Sequence, residues 1–178
     1  MGVLGNFGLW TVDFGLGVMK SRNEIAIHAP YDRIFPLAAK VEEWGRILPH
    51  YRYVKLLRRE GNRKWVRMSA WRDIVPVTWT AIESVEEGTE AHPGTIKFRH
   101  IGGMVRGMDV QWSFEPRPER GEVVVSIYHQ LDDPPFPVKL LGSRLIEAIV
   151  GRGFIGNIAR KTLKRIKELA EQDVVEDV

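Results

Sequence analysis

Two histidines on separate strand-like segments are the residues best placed to do chemistry. In "TIKFRHI" (95–101) His100 shares a face with Ile96 and Phe98. In "EVVVSIYHQL" (122–131) His129 shares one with Val123, Val125, Ile127 and Leu131, while Tyr128 faces the other way. A histidine on an apolar strand face is commonly a hydrogen-bonded core residue. Two inward imidazoles on different strands also make an acid/base set for proton transfer at a carbonyl. Arg67, mid-strand in "RKWVRMSAWRD" (63–73), is the third candidate. It shares a face with Trp65, Ser69 and Trp71, opposite Val66, Met68 and Ala70. Turned inward, it is a buried cation able to polarise a carbonyl or stabilise an enolate. Turned outward, it is simply solvated.

Other chemistries lack their residues. The five histidines (28, 50, 92, 100 and 129) have no metal-ligand spacing and no accompanying Asp/Glu–His cluster, so neither a metal nor another cofactor is expected. There is no G-x-S-x-G elbow for a serine hydrolase. Cysteine is absent, which removes disulfides, thiolate zinc and a thiol nucleophile, and fits a reducing, cytoplasmic setting. "GLGVMKS" has Met19 where a phosphate-binding loop needs glycine, and "GGMVRG" (102–107) reads as a hairpin loop. A net charge of +3 without a reading element argues against nucleic acid. No apolar run reaches the length of a membrane span.

The elements that must position these residues follow from periodicity. Strands are expected at 22–29, 51–60, 63–73, 75–87, 95–101, 108–116 and 122–131, with Gly61-Asn62 as a two-residue hairpin turn. Met108, Val110, Trp112 and Phe114 alternate with polar neighbours, the mark of a half-buried antiparallel strand. "APYDRIFPLAAKV" predicts a helix after the first strand, with Pro36 in its first turns. "DDPPFP" (132–137) ends the sheet, and a long helical pattern follows over Ile155, Ile158, Ala159, Thr162, Ile166 and Leu169. Gly151, Gly153 and Gly156 weaken its first half. The result is an α+β domain over 19–172, between an apolar, glycine-rich leader (1–18) and an acidic tail (173–178).

The order of elements, with "EIAIHAPYDRIFPLAAKVEEWGRILPHYRYVKLL", "VQWSFEPRPERGEVVVSIYHQL" and "GFIGNIARKTLKRIKELAEQ", resembles the START-like (SRPBCC) superfamily. The resemblance is to its polyketide cyclase/dehydrase and coenzyme Q-binding branch. "VRMSAWRDIVPVTWTAIESV" and "IKFRHIGGMVRGMDVQWSF" are similar to aromatase/cyclase members. This resemblance implies a helix-grip fold: a curved antiparallel sheet of about seven strands around a long C-terminal helix, with two short helices after strand one. It also implies a cavity between sheet and helix for a hydrophobic small molecule, such as an aromatic polyketide, quinone or lipid.

The implied ligand-binding residues are Trp44, Leu48, Tyr51, Trp65, Trp79, Phe98, Trp112, Phe114, Ile127, Ile155 and Ile158. Several of the six tryptophans fall on one curved sheet, more than packing usually requires, and two or three of them are expected at the cavity. Aldol-type cyclisation and dehydration by Arg67, His100 and His129 is the enzymatic alternative, and a membrane-associated quinone chaperone the third. Arg160, Lys161, Lys164, Arg165 and Lys167 read as a solvated helix face. Peripheral contact with anionic membrane is the alternative, diluted by the acidic residues that follow. The oligomeric state is left open.

Overall fold

The computed structural model describes residues 19–72, 74–132 and 156–172. The leader, the tail, Gly151, Gly153 and Ile155 lie outside them. Strand β1 (Met19–Ile27) leads into helix α1 (Tyr31–Ala39), a 3-10 turn (Val41–Glu43) and the single-turn helix α2 (Trp44–Ile47). Strands β2 (Tyr51–Glu60), β3 (Arg63–Arg72), β4 (Val75–Glu86), β5 (Thr95–Gly103), β6 (Asp109–Arg117) and β7 (Glu122–Leu131) follow, and helix α3 covers Gly156–Gln172. All seven strands form one curved antiparallel sheet in the order β1-β7-β6-β5-β4-β3-β2.

Each sequence expectation has a local cause. Gly61 takes a positive φ of 55° and closes the Glu60–Arg63 pair, which only glycine and a few small polar residues do cheaply. Helix α1 places Tyr31, Ile34, Phe35 and Ala38 on one buried stripe. Pro36 falls in its second turn, and the chain still completes the turn with Lys40 N donating to Pro36 O at 3.1 Å. On α3, Ile158, Ala159, Thr162, Leu163, Ile166 and Ala170 are the buried face. The basic side chains stay at the opposite, wetter side.

The inner face of the sheet closes on this stripe. One aromatic cluster, Tyr31–Phe35–Phe114, packs α1 onto β6 with ring centroids 5.1 to 5.9 Å apart. At the β3–β4 end, Lys64 Nζ bridges Glu83 (3.1 Å), Glu42 (2.8 Å) and the Ala39 carbonyl (3.2 Å), tying the 3-10 turn to the sheet. Burial pushes the Glu83 carboxyl up to about 7, with Lys64 pulling the other way.

Ile166 is wholly enclosed, whereas Leu57 on β2 is 56% exposed. Ile166→Ala is therefore expected to lower the unfolding free energy by about 2–5 kcal/mol in denaturant titration. Leu57→Ala should change it by about 0.5 kcal/mol or less. Equal effects would contradict the assigned helix face.

Candidate functional site

Period-two alternation decides which side chains reach the interior. β4 turns Val77, Trp79 and Ala81 inward, β5 Ile96, Phe98 and His100, β6 Val110, Trp112 and Phe114, and β7 Val125, Ile127 and His129. Between these strands and α3 lies a cavity of about 510 Å³ counted out to its open side. About 60 Å³ of that admits the centre of a water molecule, room for roughly four waters. It is a narrow slot in this conformation.

Its wall holds Trp44, Tyr51, Trp79, Phe98, Trp112, Ile127 and Ile158, together with His100 and His129. The rings touch in sequence. Trp44 lies 5.7 Å from both Phe98 and Trp112 and 5.4 Å from Tyr51. Tyr51 lies 6.0 Å from Trp79, which stacks on His100 at 6.1 Å. Trp44 is oriented by its own indole, whose Nε1 donates to the Leu37 carbonyl at 3.1 Å. The helix-to-strand corner Trp44–Tyr51 therefore supplies one wall of the slot.

Several sequence candidates fall elsewhere. The inward face of β3 is Val66, Met68 and Ala70, so Arg67 is exposed on the outer surface and is not a buried cation. Trp65 shares that outer parity and lies under the Arg58 guanidinium, 5.1 Å from its ring centre. Leu48 is fully buried but belongs to the core beside the cavity, and Phe114 is taken up by the Tyr31–Phe35 cluster. Ile155 lies outside the described residues. Met68, Met108, Val110, Ala159 and Thr162 line the cavity without having been singled out. The alternation read over 108–116 contained Met108 and Val110, and the α3 stripe contained Ala159 and Thr162.

The electrostatics are those of a dry site. Burial pushes His100 down to about 3, helped by His129 and Arg99, and pushes His129 down to about 3 as well. Both rings are uncharged at neutral pH. The Nδ1 atoms of His100 and His129 are buried and have no hydrogen-bond partner among the described residues. Just outside, His50 Nε2 meets Thr162 Oγ1 at 2.9 Å. Burial, then the nearby Lys161 charge, takes His50 down to about 4. Burial raises the Tyr51 phenol above its ordinary value, with the Thr162 hydrogen bond opposing. No group of three or more His, Cys, Asp or Glu among the described residues could hold a metal. No helix among them is long and apolar enough to cross a membrane.

A curved seven-stranded antiparallel sheet closing on a C-terminal helix, with two short helices after β1 and a ring-lined cavity between, is the helix-grip fold of START-like proteins. The profile of the polyketide cyclase / dehydrase and lipid transport family matches residues 27–152, and the chain belongs to that family. A candidate polyketide cyclase of Streptomyces halstedii is 30% identical over 100 residues, 56% of this chain and 90% of its own. The Zhui aromatase/cyclase of Streptomyces sp. R1128 superposes with a TM-score of 0.69 at 16% identity, covering 88% of this chain and 96% of that one. A START superfamily protein of Mycobacterium smegmatis gives 0.63 at 13% identity, covering 86% and 97%.

The imidazoles set a pH dependence whose sign can be worked out. Folded values of about 3 for His100 and His129 and about 4 for His50 lie below the ordinary 6.5. Between those values the unfolded chain binds protons that the folded chain refuses, so stability falls as pH drops through that window. Glu83, raised to about 7, acts in the opposite sense: its contribution is full at acid pH and is lost as pH rises through 7. The melting temperature should therefore fall from about pH 6.5 to about pH 4, and less steeply in His100→Phe/His129→Phe. An identical slope in that variant would contradict neutral burial of the pair.

Proposed function

We propose that the protein binds a hydrophobic, oxygen-bearing ring or poly-keto molecule of polyketide type in this cavity. His100 and His129 would hydrogen-bond its carbonyl or hydroxyl groups. The observation that carries this is the pair of buried Nδ1 atoms with no hydrogen-bond partner among the described residues, in a slot lined mostly by apolar and aromatic side chains. A buried polar atom left unmade costs about 1–3 kcal/mol, and nearly all such atoms in folded proteins are satisfied. A ligand oxygen there would recover that cost while its rings fill the aromatic wall. A quinone offers the same chemistry. A plain fatty acyl chain does not, because nothing on it meets the imidazoles mid-chain. The family match and the fold shared with an aromatase/cyclase support a polyketide as the ligand.

The imidazole pair also favours a second reading, ring closure of a poly-β-ketone. One ring N–H would polarise the acceptor ketone while the lone pair of the other takes the α-proton of the donor carbon. The enolate carbon then bonds to the ketone carbon, and the new alkoxide takes up a proton. Loss of that hydroxyl with an adjacent proton, as water, gives the double bond. Rings held neutral by burial are weak bases on their own. They hold a proton only while an enolate beside them carries its negative charge. Arg67, on the outer surface, has no part in this scheme.

Trp44, Trp79 and Trp112 give the binding reading a direct signal. A hydroxynaphthoquinone is expected to quench tryptophan fluorescence saturably, and a saturated fatty acid to do so weakly or not at all. His100→Ala and His129→Ala should each weaken quinone binding by roughly 3- to 10-fold, the worth of one hydrogen bond. Absence of saturable quenching, or indifference to both substitutions, would overturn the reading.

A further inference from the structure

Outside the cavity, a second groove of about 1190 Å³ counted out to its open side lies between α3, the α2–β2 corner and the facing ends of β3 and β4. Its floor is apolar and its rim cationic. Trp71 and Ile74 are 40% and 89% exposed there, and Lys161, Lys164 and Arg165 stand along the helix side, with Glu168 the one acid in the lining among the described residues. Arg165 is held in place by its Nε donating to the Ile47 carbonyl at 3.2 Å and by Glu168 at 3.0 Å. Lys161 and Lys164 are exposed.

The groove and the cavity share a partition. His50 lines the groove and Thr162 lines the cavity. The two are joined by the 2.9 Å contact between His50 Nε2 and Thr162 Oγ1. Tyr51, its ring tilted against that of His50 with centroids 4.9 Å apart, is on the cavity side. A layer one side chain thick thus separates a dry, aromatic slot from a wet, positive groove. The slot is too narrow for a fused-ring ligand unless some of its wall moves. This layer rests on side-chain contacts, whereas the sheet walls are fixed by strand hydrogen bonds.

The geometry points to the groove as the vestibule of the cavity and as an anion subsite. The ligand is an amphipathic anion whose rings pass the His50–Thr162 contact into the slot while its carboxylate or phosphate stays with Lys161, Lys164 and Arg165. This rests on the cavity reading above and adds a charge requirement to it. Apolar surface under a cationic rim suits such a molecule: the ring system is desolvated and the charged end keeps its water and its counter-ions.

The test uses two probes with one ring system, 2-naphthoate and 2-acetylnaphthalene, titrated calorimetrically into the full chain. The anion is expected to bind about ten-fold more tightly at low salt, an advantage that shrinks as salt is added, and the two should compete for one site. Lys161→Glu/Lys164→Glu should abolish the preference and leave the ketone within two-fold of its original affinity. Equal binding of both probes by the unmodified protein, lack of competition, or parallel weakening of both by the substitutions overturns the vestibule and leaves the cavity reading standing. Failure of the naphthoate alone overturns the vestibule, and failure of both probes overturns both readings.

Discussion

Burial of the α3 stripe against the concave side of the sheet is the constraint on which the site depends. Ile158, Ala159, Leu163, Ile166 and Ala170 leave water only if the strands that cover them turn apolar residues inward. Because side chains alternate along a strand, that demand fixes the parity of every residue in the sheet at once. Trp79, Phe98, Trp112, Ile127, His100 and His129 are interior because their neighbours at plus and minus two are. Thr162 belongs to the same helix stripe, so the helix that closes the core also supplies a polar group to the cavity edge.

Polar groups on that inner face fall into two kinds. At the β3–β4 end Glu83 has the Lys64 ammonium at 3.1 Å, and Lys64 also reaches Glu42 and a backbone carbonyl. A buried charge with a close opposite charge serves the fold, because removing either partner strands the other. At the β5–β7 end the imidazoles of His100 and His129 are also buried, and their Nδ1 atoms have no partner among the described residues. The first arrangement fastens the 3-10 turn to the sheet. The second costs stability, and it adjoins a cavity. The difference between the two ends is the Lys64 charge beside Glu83 and the cavity beside the imidazoles.

Much of the architecture was legible in the chain. The seven strands fall within a few residues of where alternation and turn chemistry put them, and Gly61-Asn62 makes the expected two-residue turn. The family resemblance located the cavity, and the helix-to-strand corner did place Trp44 and Tyr51 on it. Parity of β3 was the ambiguous point. Its two faces read Trp-Arg-Ser-Trp and Val-Met-Ala, and alternation alone left open which of them turns inward. The Arg58 guanidinium over Trp65 and the Arg52 guanidinium 4.9 Å from Trp71 cover those rings on the outside. A cation supplied by the neighbouring strand of the hairpin is not part of the alternation of β3 itself. Phe114 and Leu48 were inward, as expected, but neighbours in space took them into the core. The His50–Thr162 contact joins residues 112 apart, a pairing that only the folded chain reveals.

The most direct test of the central claim is long-range ¹H–¹⁵N NMR of the imidazole nitrogens. His100 and His129 are expected to remain neutral at about pH 5.5, where an ordinary histidine is mostly protonated. Addition of a hydroxynaphthoquinone should then shift their Nδ1 resonances and leave those of exposed His28 and His92 in place. Rings that titrate near the ordinary value, or Nδ1 signals unmoved at saturating ligand, would contradict a buried, unpartnered pair waiting for a ligand oxygen.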